Sequence, residues 1–139
     1  PEESGPLRGV TAPRNIDIIS MLAPTSTDRR IADACATSSG FIYCVSVAGV
    51  TGARTDVSDE GLRLVQRVRR HTDLPVAVGF GISNRGHVEA VGKYADAAII
   101  GSALVNVIDQ AREGRLIQDA VKFVAGLQGS DEPVGRGAE

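Results

Sequence analysis

"LPVAVGFGIS", residues 74–83, carries a stretch of apolar β-formers into a turn with glycine on both sides of Phe80. The first half reads as a strand that is apolar on both faces, the pattern of a strand buried in a parallel sheet. The second half falls where that strand ends. Glycines there let the main chain approach a ligand closely and leave amide groups unshielded by side chains. In parallel α/β folds ligands bind beyond the carboxyl ends of the strands, so this stretch predicts an element and a site together.

The same order of elements recurs on either side of it. "IDIISML", residues 16–22, reads as a strand, and "APTSTD" then supplies Pro24 and several N-cap candidates before the helix "RRIADACA". "GFIYCVS", residues 40–46, is a second strand. It is followed by the long loop "VSVAGVTGART", residues 45–55, and by "SDEGLRLVQRVRRHT", a helix with Leu62, Val65 and Val68 at helical spacing behind a Ser58/Asp59 cap. After residues 74–83 come the helix "SNRGHVEAVGKYA", with Val88 and Val91 inward, and the fourth strand "DAAIIG", residues 96–101. "SALVNVIDQA" is a short helix opening directly at that strand's end, and "RLIQDAVKFVAGL" is a terminal helix. Residues 1–14 predict the remnant of an earlier helix, interrupted by Gly5 and Pro6. A folded unit over residues 1–128 is expected, with residues 129–139 as a disordered tail.

Doubly apolar strands alternating with amphipathic helices at a period of about thirty residues predict a parallel sheet with right-handed crossovers. An open doubly wound sheet and consecutive units of a (β/α)8 barrel both fit this pattern. The barrel normally needs about 250 residues, so 139 residues hold only part of one.

Composition narrows the function classes. With 42% hydrophobic and 23% charged residues the chain reads as one globular unit with matter for a core. The net charge of −2, without a basic run or face, gives no support for a nucleic-acid or membrane-surface partner. No apolar stretch approaches the roughly twenty residues that span a bilayer, and a cytoplasmic setting is the default expectation. Cys35 and Cys44 lack metal-ligand spacing and read as plain buried or half-buried thiols; no metal is expected. His71 and His87 read as solvated helix residues. The chain begins at Pro1 and its one methionine, Met21, falls inside a predicted strand, so a fragment of a longer protein is expected.

The strand ends carry the chemistry. "GFGIS" and "IIGSA" put glycine turns on successive strands, and the second opens a short helix at Gly101 and Ser102, where free N–H groups and the positive dipole end favour an anion. A recurrent phosphate site of barrels is built from the loops after the last two strands and the start of a short extra helix. Glycines that merely make tight turns are the plainer alternative for each stretch taken alone. No Asp, Glu, His, Lys or Cys stands at a predicted strand end. Asp17 and Asp96 lie near the amino ends of their strands, and Asp56, Asp59 and Glu60 belong to a loop and a helix cap. Tyr43, inside its strand, has core packing as its default role, although it could point into a barrel. The loop of residues 45–55 is longer than most βα connections, with Gly49 and Gly52 as hinges and Thr51 between them, and it reads as a mobile lid.

Over nearly the whole chain except its tail, "PEESG", "LAPTSTDRRI", "GFIYCVSVAGVTGART", "LPVAVGFGIS" and "ADAAIIGSALV" resemble the α subunit of tryptophan synthase. The resemblance implies a (β/α)8 TIM-barrel fold of which this chain is the carboxyl-terminal half, strands five to eight. It implies retro-aldol cleavage of indole-3-glycerol phosphate to indole and glyceraldehyde 3-phosphate, with no metal or organic cofactor. It also implies a β-subunit partner in an α2β2 complex. By the family pattern Gly52, Gly81, Gly101 and Ser102 hold the phosphate, Tyr43 and Phe80 line the indole side, and Thr51 is the lid residue that closes toward a catalytic aspartate. The position after Ser46, often basic or polar in relatives, is Val47 here, so the resemblance assigns that side chain no contact. The family's catalytic glutamate and aspartate come from the first half of the barrel, in keeping with the uncharged strand ends, and the chain alone is expected to be inert. Two alternatives stand beside this reading: another phosphate-binding barrel enzyme such as phosphoribosylanthranilate isomerase, against which the "GVTGAR" loop argues, and a non-catalytic half-barrel that binds phosphate or a partner.

Overall fold

Four strands pair in parallel in their chain order: β1 (Ser20–Leu22), β2 (Ile42–Val45), β3 (Val76–Gly79) and β4 (Ala97–Ile99). The computed structural model describes residues 4–45, 59–79 and 81–129. Between and around the strands lie helices α1 (Ser4–Thr11), α2 (Asp28–Thr37), α3 (Asp59–Val68), α4 (Arg85–Val91), α5 (Ser102–Asp109) and α6 (Leu116–Gln128), with a 3₁₀ turn at Ala12–Arg14. The alternation read from the sequence is thus the architecture, a parallel α/β sheet wound one way.

Local chemistry explains where the elements start. Thr27 caps α2, its hydroxyl accepting from the Arg30 amide at 3.3 Å, and Asn84 caps α4, its carbonyl accepting from the His87 amide at 3.0 Å. Gly5 and Pro6 do not interrupt the first helix, as the sequence reading expected. They fall in the first turn of α1, where proline's missing N–H would have had no helical acceptor. The first strand is shorter than expected. Its pairing with β2 begins at Ser20↔Ile42, and upstream the Ile18 amide donates instead to the Ser39 hydroxyl at 3.1 Å, leaving Ile16 exposed.

Strand parity divides the side chains between two faces. Leu22, Ile42, Cys44, Val76 and Val78 join Ile31, Ala34, Cys35, Leu64, Val65, Val68 and Val91 from the helices in one buried cluster. In α3 the inward seam is Gly61, Leu64, Val65 and Val68, with Leu62 only half-buried; the expected seam was displaced by one position at its start. The register row Met21, Tyr43, Ala77 and Ala97 lies on the opposite face. Met21 there is 62% exposed beside Leu22 at 1%, so adjacent residues meet opposite environments.

The amino ends of β3 and β4 are joined by one carboxylate. Asp96 Oδ2 accepts from the Val76 amide at 2.7 Å and from Arg69 Nη2 at 2.9 Å, and the Asp96 amide donates to Val76 O at 2.9 Å. The Val76 amide first, and Arg69 with it, hold this carboxyl below the usual carboxylate range. Because the folded pKa is depressed, its contribution is present above the unfolded pKa of about 3.9 and is lost as pH falls through the folded value. Asp96→Ala is expected to destabilise the chain at pH 7 by about 1 kcal/mol, since the carboxylate's exposure screens the pair. Urea titrations should show that deficit closing below pH 4; a deficit that persists there would make the role steric.

Candidate active-site face

Two turns follow the paired residues Gly79 and Ile99 at the carboxyl ends of β3 and β4. Gly81 and Gly101 each stand two positions beyond that pair in the chain, in the turns that lead to α4 and α5. They are glycine for different reasons. Gly81 has φ +72°, in the left-handed region that side chains avoid, so the β3–α4 turn requires it. Gly101 has φ −116°, open to any residue, and a Cβ placed on it would meet nothing within 4 Å. Among the described residues no atom excludes a side chain there. The glycine leaves room on the solvent side of the first turn of α5.

That turn is an open helix start. Gly101 is its N-cap without a capping side chain, Ser102 is its first residue, and both are exposed. The first amides of α5 have no helical acceptors and no acidic side chain stands in the turn, so their partial positive charge faces solvent uncompensated.

Tyr43 is not in the core. Its register partners are Met21 and Ala77, and the core cluster takes its neighbours Ile42 and Cys44 instead. Half-buried on the other face, Tyr43 leans along the sheet over Gly79, where an added Cβ would come within 2.5 Å of its hydroxyl. Gly79 therefore admits the phenol toward the strand ends. Gly49, Thr51, Gly52, Phe80 and Val47 lie outside the described residues, as does Ser58.

Among the described residues the strand ends carry no acid or base, and none of them forms a cluster of three or more possible metal ligands. The other titratable groups are structural. Burial, with Cys35 nearby, pushes the Cys44 thiol up to about 12, and Cys35 is raised by burial too, so neither is a ready nucleophile. The Tyr94 hydroxyl is buried with no partner among the described residues, and burial followed by Cys44 raises its pKa. His87 is half-buried, its Nδ1 accepting from the Ser83 amide at 3.4 Å beside the Asn84 cap; the expectation of a simply solvated side chain is corrected.

Sequence reading missed Arg67. Its guanidinium donates to Pro24 O at 3.2 Å, Ser26 O at 2.6 Å and Asp28 Oδ1 at 2.7 and 2.9 Å, which fastens α3 to the loop at the carboxyl end of β1. Arg67, by hydrogen bonding first and charge second, lowers the Asp28 pKa. Nothing in the local pattern marks a partnership across 39 residues.

Four parallel strands in chain order, joined by helices and followed at the last two carboxyl ends by glycine turns, define a domain of the parallel α/β class. A family model described as Tryptophan synthase alpha chain matches residues 1–130, and the chain belongs to that family. The tryptophan synthase alpha chain of Roseiflexus castenholzii is 47% identical over 129 residues, covering 93% of this chain and 49% of the relative. That of Methanopyrus kandleri is 45% identical, covering 89% and 46%. Among solved structures, the tryptophan synthase α2β2 complex of Pyrococcus furiosus superposes with a TM-score of 0.81 at 32% identity, over 92% of this chain and 52% of that one. A protein of Aquifex aeolicus does so with 0.77 at 32%, over 94% and 47%. The four strand–helix units are therefore part of a tryptophan synthase alpha (β/α)8 barrel, in a family of lyases. The chain spans about half the length of the curated relatives it matches.

Proposed function

We propose that this chain is the carboxyl-terminal half of a tryptophan synthase α barrel, strands five to eight, and supplies the phosphate site and lid for cleavage of indole-3-glycerol phosphate. The observation that supports the reading is Gly101, whose side-chain space is free of described atoms at the first amides of α5, two residues beyond the pair Gly79↔Ile99. Gly81, Gly101 and Ser102 hold the phosphate, joined by Gly52 from the loop. Tyr43, leaning over Gly79, and Phe80 line the indole side. Gly49, Thr51 and Gly52 belong to the lid. The acid and base come from the other half of the barrel, no metal or organic cofactor takes part, and the complete protein works in the cytoplasm with a β subunit in an α2β2 assembly. The half-barrel is assigned to residues 1–128, with Gly129 closing its last helix as the C-cap.

Calorimetric titration of the chain with glycerol 3-phosphate tests the site. Ser102→Ala removes one hydrogen bond to a charged acceptor, which is expected to cost about 1.5 to 3 kcal/mol. Gly101→Val fills the open space and should abolish binding while the fold, to which that space contributes nothing, stays intact. Thr51→Ala should leave affinity nearly unchanged, because in this reading Thr51 reaches for the aspartate and not for the anion. Equal losses for Thr51→Ala and Ser102→Ala would reject the assignment of the lid.

A further inference from the structure

The amino end of the sheet, opposite the glycine turns, holds a second polar concavity. A cavity of about 260 Å³ lies where α1, the 3₁₀ turn and the end of α2 meet the segment that enters β1. Arg8 and Thr11 of α1, Asn15, Asp17 and Ser39 line it, with Ile16 as an apolar wall. Backbone bonds fix these walls. The Asn15 amide donates to Ala12 O at 3.1 Å and the Ile16 amide to Thr11 O at 3.2 Å. The Ser39 amide donates to Ile18 O and the Ile18 amide to the Ser39 hydroxyl, both at 3.1 Å, which leaves that hydroxyl its proton to donate. Gly40, at φ +75°, leaves room for Asp17, whose Oδ2 would stand 3.2 Å from a Cβ on it. Arg8 and Asp17 thus bring opposite charges to one cavity, yet neither is ion-paired among the described residues.

We propose that this cavity binds a small aliphatic α-amino acid as its zwitterion: the Arg8 guanidinium takes the carboxylate, Asp17 takes the ammonium group, and Ile16 meets the side chain. A guanidinium fork matches a carboxylate with two parallel donors, and an ammonium group has only protons to give, which a carboxylate accepts. A ligand with one charge would leave one of the two residues unanswered. The volume suits a molecule of a few heavy atoms, below the size of ordinary cofactor pockets. Arg8 and Asp17 are exposed, so solvent screens each contact and the affinity is expected in the millimolar range. This site lies at the other end of the strands from Gly101 and stands or falls without the phosphate reading.

Saturation-transfer NMR observed on the ligand tests this with the 139-residue chain, and it tolerates association of the chain. The probes are L-valine, isobutylamine, which is valine without its carboxylate, and isovalerate, which is valine without its ammonium group. L-Valine is expected to bind about 2- to 5-fold more tightly than either, the scale of one exposed charge pair. Arg8→Gln should cancel the advantage over isobutylamine and keep that over isovalerate. Asp17→Asn should do the reverse. Both variants are expected to retain the circular dichroism of the unaltered chain, since neither side chain is ion-paired within the fold. Equal binding of the three probes by the unaltered chain, or no binding of L-valine, would overturn the proposal whatever the variants do. So would advantages that both substitutions leave untouched. Glycerol 3-phosphate should not displace L-valine, and displacement would move the amino acid to the glycine turns and reject this site. If the chain takes L-valine in this pattern but not glycerol 3-phosphate, the phosphate reading fails and the amino-acid site stands.

Discussion

Indole-3-glycerol phosphate incubated with the purified chain is expected to survive intact. General acid–base groups contribute about 10² to 10⁴ in rate each, and the reading of the fold leaves this chain without either. Among the described residues the carboxyl ends of the strands hold glycine, serine and apolar side chains. Asp28, in the first turn of α2 beyond the carboxyl end of β1, is held by Arg67. Asp96 serves the amino ends of β3 and β4, at the other end of the strands from the Gly101 turn. A phosphate held by amides would orient the substrate but move no proton. Indole release followed by absorbance should stay at the uncatalysed level. Turnover above a trace of that of a full-length family enzyme would show that the acid and base lie within this chain, and the assignment of its site would have to be redrawn. If a chain spanning the first half of a family barrel is added, the missing carboxylates return and turnover should appear, provided the halves dock.

The alternation of elements was legible because apolar strand runs alternate with amphipathic helical patterns. Thr27, one of the N-cap candidates in "APTSTD", caps α2, whereas Asn84, read as part of the next helix, proves to be its N-cap. Double apolarity has a cost in the same reading, since it hides which face of a strand is which. Tyr43 and Cys44 are equally at home in a core by composition, and only the register with β1 and β3 sends Cys44 inward and Tyr43 to the open face. The two site glycines read alike in the sequence, yet Gly81 answers to backbone conformation and Gly101 to empty space, a distinction that needs φ angles and neighbours. Arg67 was illegible for another reason. An arginine on a helix surface is ordinarily solvated, and its partners here come from a segment some forty residues away that only the tertiary packing brings near.

The chain on its own is expected to self-associate, through the sheet face opposite the core. β1 and β4 are edges on which no further described strand pairs, and open edges template contacts with other chains. Met21, at 62% exposure, and Ala97 present apolar surface on that face, and Val105 and Ile117 do so on α5 and α6, at 61% and 74%. Exposed apolar area of this extent is what monomers ordinarily cover. Light scattering at micromolar concentration should report dimers or larger species. Met21 and Leu22 provide the discriminating pair. Met21→Lys puts a charge on the open face, where this chain's own core makes no demand, and should shift the population toward monomer with the helix content retained. Leu22→Lys, one residue on, removes burial worth about 2 kcal/mol and strands a charge in the cluster, so it should unfold the chain. A monodisperse monomer of the unaltered chain that melts cooperatively would contradict this, as would equal damage from the two substitutions, since strand parity assigns them to opposite faces.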